Sequence, residues 1–93
     1  MKNDELYYQQ FKTKLIDSQP WPGPYLYKFI VKQESDHLAL IKSWFDLRVV
    51  EATEKQSSKG SYRSLSILAP QQTPEQVIAI YKQVKKLKGV IIL

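Results

Sequence analysis

The chain has 93 residues, of which 43% are hydrophobic and 25% charged, a composition that suits one small globular domain and argues against overall disorder. It has no cysteine, one histidine and a net charge of +5, so disulfide frameworks, thiolate metal sites, cysteine nucleophiles and histidine clusters are excluded. No apolar run approaches the ~20 residues that span a membrane, and the first residues do not resemble a signal peptide, so we expect a cytoplasmic protein without metal, cofactor or membrane contact.

The first predicted element is an amphipathic helix over residues 4–16, which we place in an N-terminal extension covering residues 1–18. Apolar side chains recur there at helical spacing on one side: Leu6, Tyr7, Phe11 and Leu15. Residues 18–24 form a stiff connector, because three prolines fix their own φ angles and restrict the residues before them. Within it, Trp21 is expected to cover an edge of the core. The rest of the chain, residues 19–93, is assigned to a single domain.

A strand, a helix and a second strand follow. In the first strand, residues 25–31, alternation places one set of side chains on the core face: Tyr25, Tyr27, Phe29 and Val31. Residues 35–45 predict a helix with a capping residue at its start. The second strand, residues 47–56, carries four charged side chains, which suits an exposed edge of a sheet.

The second half of the domain begins with a turn over residues 57–61, where Gly60 supplies a positive φ. A strand over residues 62–69 then faces the core with three side chains: Leu65, Ile67 and Ala69. The next helix opens with a cap, a proline in its first position and a capping box, provided by Thr73, Pro74 and Gln76. Gly89 ends this helix, and residues 90–93 form a short terminal strand.

The predicted order is therefore β-α-β-β-α-β after an N-terminal helix. Two βαβ halves with right-handed crossovers give a four-stranded antiparallel sheet with two helices on one face. We predict an α+β fold of the ferredoxin-like type.

The charge surplus lies entirely in residues 57–93, which carry six basic side chains and one acidic one. The basic residues of the second helix and its end form a candidate patch: Lys82, Lys85, Lys86 and Lys88. Such a patch attracts anions. The alternative is a solvated helix face whose lysines are favoured by the helix dipole, and this is the commoner arrangement.

The turn is the stretch most suggestive of a binding site. Its small residues expose backbone N–H groups, its hydroxyls add hydrogen-bond donors and its lysine adds charge, a combination that can cradle a phosphate or carboxylate. The candidate ligand-binding residues are Ser57, Ser58, Lys59, Gly60, Tyr62 and Arg63. The alternative is a hairpin turn whose serines satisfy their own backbone.

Two other functions were weighed. RNA-recognition modules share this fold and carry a basic residue, Gly, an aromatic residue, a small residue and Phe on their third strand. Residues 59–63 begin this pattern with Lys59-Gly60, but Ser61 stands in the first aromatic position and Arg63 in that of Phe. An enzyme is less favoured, because the sequence has no phosphate-binding loop and a single histidine offers little scope for a triad. We name no catalytic residue.

The turn and the strand after it resemble the signature of the YbeD-like family, small bacterial proteins of unknown function. The similar pattern is Ser57-Ser58-Lys59-Gly60, a variable residue, Tyr62 and then an alternating strand. The resemblance runs from about Leu15 to the end of the chain, through the second helix and the terminal strand. It implies the same β-α-β-β-α-β sandwich, similar to ACT-type regulatory domains that bind amino acids. It implies no catalytic residue.

The sequence thus predicts a non-enzymatic regulatory or protein-interaction module. Its partner would be a protein or a small anion, bound near the turn and the basic end of the second helix. Exposed sheet edges predict a possible homodimer. RNA binding through the basic C-terminal part is the alternative, and an enzyme is the third reading.

Overall fold

In a computed structural model, residues 2–93 are described, with side chains from Glu5 onward, and they form three helices and four strands. The helices are α1 (Lys2–Ser18), α2 (His37–Ser43) and α3 (Pro74–Lys85). The strands are β1 (Gly23–Lys32), β2 (Glu51–Gln56), β3 (Tyr62–Gln71) and β4 (Ile91–Ile92). Met1, which belongs to the N-terminal extension assigned above, lies outside the described residues.

The strands form one antiparallel sheet in the order β2-β3-β1-β4. β1 and β3 are the central pair, with Tyr27 opposite Ile67 and Phe29 opposite Leu65. β2 lies at one edge, as its charged side chains indicated. This arrangement confirms the predicted ferredoxin-like fold.

The core lies between the helices and one face of the sheet. Its fully buried side chains are Tyr27, Phe29, Val31, Ile41, Leu65, Ile67, Val77 and Val84. The strand members are those that alternation placed inward, and α2 and α3 supply the rest. Burying one side chain of this size contributes roughly 1.5–3 kcal/mol, so this set is the main source of stability.

The N-terminal helix packs against α3. The Phe11 ring meets Tyr81 edge-on with centroids 5.2 Å apart, and Lys12 Nζ lies 2.8 Å from a carboxylate oxygen of Glu75. Leu15 is buried in the core. Trp21 is half-buried against the same core, as expected for a residue that covers its edge.

The segment between α2 and β2 differs from prediction. The helix ends at Ser43 and the strand begins at Glu51, so the intervening residues, predicted as helix end and strand start, form turns. Asp46 explains the turn, because one of its carboxylate oxygens accepts a hydrogen bond from the Arg48 amide at 3.0 Å and its carbonyl accepts from the amides of Val49 and Val50. The carboxylate also binds the Arg48 guanidinium through two contacts of 3.0 Å, and these bonds lower the pKa of Asp46 below its usual range.

The start of α3 follows the predicted chemistry with one change, and the end of the helix differs from prediction. The Thr73 hydroxyl accepts from the Gln76 amide, and Pro74 is the first helical residue. The Gln76 side chain accepts from the Gln72 amide at 2.7 Å, one residue earlier than a capping box requires. The helix ends at Lys85 and is capped by Lys86 with φ −75°, so the prediction that Gly89 ends it is wrong. Gly89 adopts φ +80° in a separate turn beyond the helix.

Candidate functional site

The turn between β2 and β3 is held by its own backbone. The Ser57 amide donates to the Tyr62 carbonyl at 2.9 Å, and the Gly60 amide donates to the Ser57 carbonyl at 3.0 Å. Gly60 has φ +74°, which glycine adopts without steric cost. The Ser57 hydroxyl accepts from the Tyr62 amide at 3.2 Å, so this serine serves the turn.

Three amides of the turn remain available to a ligand. Within residues 2–93, those of Ser58, Lys59 and Ser61 donate to no protein oxygen, and all three residues are exposed. Successive free amides beside a lysine form a concave donor surface of the kind that accepts anions. The turn therefore offers hydrogen-bond donors to an anion, and the anion site itself stays a prediction.

A recess of ≈ 590 Å³ lies between this turn and the loop that follows β1. The Gln33 amide donates to the Ser61 carbonyl at 3.0 Å and holds the loop to the turn. The lining residues are Lys32, Gln33, Glu34, Ser35, Gly60, Ser61 and Tyr62. Its charged groups are one ammonium and one carboxylate, those of Lys32 and Glu34.

The C-terminal end of α3 reaches the same end of the sheet. Lys32 pairs with Tyr62 across β1 and β3, and a methyl group at Gly89 would lie 3.7 Å from Lys32 Cε. The exposed Lys88 directly precedes Gly89, and the exposed Lys86 lies three residues before it. The fold thus brings the turn and the segment around Gly89 to one end of the sheet, with Lys32 between them. We call this region, comprising the turn, Lys32, Lys86 and Lys88, the hairpin end.

The other two lysines of the predicted patch face a different surface. The Lys82 ammonium lies 5.0 Å from the centroid of the Tyr8 ring, and the Lys85 ammonium lies 5.7 Å from the same ring and 5.9 Å from that of Tyr7. Both contacts are cation–π interactions with α1. The predicted patch is therefore split between the hairpin end and the α1 surface.

Arg63 is placed differently from the rest of the predicted site, because its side chain lies on the helix-covered face of the sheet. It follows Tyr62 in β3, so its side chain leaves from the opposite face of the sheet. There its guanidinium donates to a Glu54 carboxylate oxygen at 3.2 Å and to the Gln33 side chain at 3.1 Å. Lys42 Nζ lies 2.7 Å from the second Glu54 oxygen. Hydrogen bonding from Lys42, with support from Arg63, lowers the pKa of Glu54 below its ordinary value.

A second recess, of ≈ 430 Å³, was not predicted. It lies between α1, β1, α3 and β4, and its lining residues are Tyr7, Tyr8, Phe11, Tyr25, Tyr81, Lys85, Ile92 and Leu93. The hydroxyls of Tyr25 and Tyr81 share a hydrogen bond of 3.0 Å. Burial, followed by this bond, raises the pKa of Tyr81. The inward-facing aromatic residues in the sequence indicated a core. Some of them line a recess only because α1 lies beside them, which the sequence pattern did not show.

The uncovered face of the sheet bears on the RNA alternative. Among the described strand residues, the aromatic side chains of β1 lie on the helix-covered face, and Tyr62 is the aromatic residue of the open face. Its neighbours there are aliphatic, hydroxyl and lysine side chains, including Leu26, Ser64 and Lys28. Base stacking by RNA-recognition modules uses two or three aromatic residues on this face. RNA binding remains a prediction.

The described helices include none long and apolar enough to cross a membrane. Groups of three or more His, Asp or Glu side chains arranged as metal ligands are likewise absent from the described residues.

Residues 18–93 match a family model described as a protein of unknown function, DUF493. The match confirms the family-level resemblance predicted from the turn and the strand after it, and it leaves most of α1 outside the matched range. Neither a search of curated proteins nor a search of solved structures gave a match.

Proposed function

We propose that this chain, a member of the DUF493 family, is a non-enzymatic module that binds a small anion at its hairpin end. The function of the family is not established. The observation that carries the proposal is the position of Lys32, which lies opposite Tyr62 and beside Gly89. It supports an anion site that would also use the free amides of Ser58 and Lys59 and the exposed lysines Lys86 and Lys88.

The electrostatics of the hairpin end favour anions. The residues that line the recess include one carboxylate, that of Glu34. The hairpin end contains four lysines, so its positive charges outnumber this negative one. An exposed charge pair at about 4 Å is worth ~1 kcal/mol in water, so several such contacts and two amide hydrogen bonds support a dissociation constant of about 1 mM for a small anion. Because the groups are exposed, binding should weaken as salt rises.

The hydroxyl groups near this end support binding over catalysis. A nucleophilic serine needs a base within hydrogen-bond reach. The Ser35 hydroxyl instead donates to the Lys32 carbonyl at 2.8 Å, and the Ser57 hydroxyl accepts from a backbone amide. His37 reaches Ser35 through its backbone amide, at 3.4 Å. These contacts organise loops, which is what a ligand-responsive regulatory module requires.

The test is a titration of the ¹⁵N-labelled chain with inorganic phosphate, acetate and adenosine monophosphate, followed by NMR. We expect saturable shifts of the Ser58 and Lys59 amides, larger for phosphate than for acetate and reduced by added salt. Lys59→Glu should weaken phosphate binding by about tenfold or more, because it reverses a charge worth ~1 kcal/mol. Lys14→Glu, the same charge change on the exposed surface of α1, is the matched control and should bind as the unaltered chain does.

Two results would overturn the proposal. One is the absence of saturable shifts at the turn with all three anions. The other is an equal loss of binding in Lys59→Glu and Lys14→Glu, which would indicate an effect of net charge alone. Retention of single-stranded oligonucleotides with a steep salt dependence, without a response to phosphate, would favour the RNA alternative instead.

A further inference from the structure

At the outer edge of β2, every second residue points its backbone N–H and C=O groups away from the sheet. The hydrogen bonds to β3 show which residues these are. The Ser57 amide donates to the Tyr62 carbonyl, and the Ser64 hydroxyl donates to the Lys55 carbonyl, so Lys55 and Ser57 point their polar backbone groups towards β3. Because antiparallel ladders alternate, Glu51 and Thr53 do the same. The N–H and C=O groups of Ala52 and Glu54 therefore point outward, away from the sheet.

This alternation of inward and outward backbone groups restricts how a second copy of β2 could pair with the first. In a symmetrical antiparallel pair, residues with outward groups must face one another, so the two-fold axis passes through a residue and never between two. An axis at Thr53 places Thr53 beside the partner's Thr53, and Glu51 beside the partner's Lys55. It also places Ala52 opposite the partner's Glu54, where both residues have outward hydrogen-bonding groups.

The neighbouring registers lack this complementarity. An axis at Ala52 sets Glu51 opposite the partner's Thr53 and Lys55 opposite the partner's Val49. An axis at Glu54 sets Lys55 opposite the partner's Thr53 and Glu51 opposite the partner's Ser57, so neither charge meets an opposite one. Directly opposed like charges are unfavourable and opposite charges favourable in cross-strand pairs, so the charge pattern of β2 selects the Thr53 register.

The side chains at the edge are ready for this pairing. Glu51 and Lys55 are exposed on the open face of the sheet and make no ion pair with the side chains that the structure describes, which begin at Glu5. On the other face, Glu54 is already neutralised by Lys42 and Arg63. In the Thr53 register, Glu54 lies opposite the partner's Ala52, whose small side chain leaves room for the Glu54 side chain. Pairing would thus add two Glu51–Lys55 ion pairs without stranding a charge.

We infer that the occupant of this edge is a second copy of the chain, and that β2 forms a two-fold homodimer with an eight-stranded continuous sheet in the Thr53 register. Main-chain hydrogen bonds between Ala52 and the partner's Glu54, formed twice by symmetry, hold the two sheets together. The contact is a six-residue edge, so the dimer is a weak one, with a dissociation constant of about 100 μM. The inference is independent of the proposed anion site.

The first test is a charge exchange, measured by sedimentation equilibrium from micromolar to millimolar concentration. Lys55→Glu places two carboxylates side by side at each of the two symmetry-related positions, and we expect the dimer to weaken at least tenfold. The double variant Glu51→Lys/Lys55→Glu restores opposite charges in the same register and should recover the dimer. Lys14→Glu, on α1, is the control for net charge. A double variant no stronger than Lys55→Glu, or a monomer at every concentration, would overturn the inference.

The second test uses proline to block the edge without disturbing the fold. Ala52 directs its N–H outward, so Ala52→Pro removes a hydrogen bond of the dimer and none of the β2–β3 ladder. The variant should be monomeric with an unchanged melting temperature. Thr53→Pro, which removes a ladder bond to β3, should instead lower the melting temperature. A dimer that persists in a folded Ala52→Pro variant would contradict the proposed register, as would amides of Ala52 and Glu54 whose hydrogen exchange does not slow with concentration.

Discussion

The indole N–H of Trp21 donates a hydrogen bond to the main-chain carbonyl oxygen of Leu15, with an N···O distance of 2.8 Å. The same carbonyl accepts from the Ser18 hydroxyl at 2.9 Å. Carbonyls in the last turn of a helix lack partners within the helix, so these two side chains close the end of α1. The connector therefore fixes the helix to the domain as well as covering the core.

Replacing Trp21 with phenylalanine keeps an aromatic ring and removes the donor. Since Ser18 still satisfies the Leu15 carbonyl, we expect the free energy of unfolding to fall by about 0.5–1.5 kcal/mol. Urea denaturation measures this change. The double variant Trp21→Phe/Ser18→Ala should lose more than the sum of the single effects, because the carbonyl then has neither donor. Strict additivity would argue against a shared acceptor.

Gly60 gives a second prediction. Its φ of +74° is one that side-chain-bearing residues rarely adopt, and a Cβ there would lie 3.1 Å from the Gln56 side-chain nitrogen. Gly60→Ala should cost about 1 kcal/mol of unfolding free energy. Gly60→Asn should cost less, because asparagine tolerates this backbone region better. Ser58→Ala, at an exposed position of the same turn, is the control and should stay within about 0.5 kcal/mol of the original.

The ion-pair network around Glu54 predicts a dependence of stability on acid. Hydrogen bonding from Lys42 and the charge of Arg63 lower the pKa of Glu54 from its ordinary value of 4.5. A carboxyl group with a lowered pKa in the folded state stabilises the fold above its unfolded pKa, and this contribution is lost as the pH falls through the folded value. Glu54→Gln should therefore cost about 1 kcal/mol at neutral pH, with the difference shrinking below pH 4.5.

Denaturation over a series of pH values tests this account. Glu5→Gln, an exposed position on α1, should change stability little at any pH. A deficit of Glu54→Gln that stays constant down to strongly acidic pH would show that the lost stability comes from packing and not from charge.

At alkaline pH, the ionisation of two buried tyrosines should determine how stability changes. Burial is the main cause that raises the pKa of Tyr27 and of Tyr81 above their ordinary value of 10.0. The unfolded chain then releases these protons first, so stability should decline as the pH rises above 10.0. Tyr81→Phe should decline less steeply than the original chain, whereas Tyr62→Phe, at an exposed position, should follow it. Tyrosinate absorbance and unfolding should be recorded together over the same series of pH values. The comparison distinguishes tyrosines that ionise in the folded state from those that ionise only after the chain has unfolded.

The parts of the fold that the sequence predicted are those governed by local chemistry. Alternation along β1 and β3 identified the buried side chains, because one face of each strand is covered by helices. The cap at Thr73 set the start of α3. The end was predicted too late, because Gly89 takes its left-handed conformation in a turn beyond the C-cap at Lys86. The segment before β2 was misread, because Val49 and Val50 suit a strand while the Asp46 carboxylate and carbonyl hold a turn.

The candidate site was only partly accessible to sequence reasoning. Arg63 was grouped with the turn by proximity in the chain, although alternation from Tyr62 already placed it on the other face. Lys32 was missed because the segment that contains it has no net charge. The tertiary fold alone brings it between Lys59 and Lys88, and the same holds for the recess that α1 builds over Tyr25 and Tyr81.

The pairing of β1 with β3 also has a kinetic consequence. β2 and β3 are joined by a short turn, whereas Lys32 and Tyr62 are neighbours in the sheet but far apart along the chain. Closing so long a loop costs entropy before any contact repays it, and such pairings slow folding. We expect the β2–β3 hairpin to form first and the docking of β1 to limit the rate. The turn proposed to bind anions and the edge proposed to form the dimer would then both belong to the earliest structure on the folding pathway.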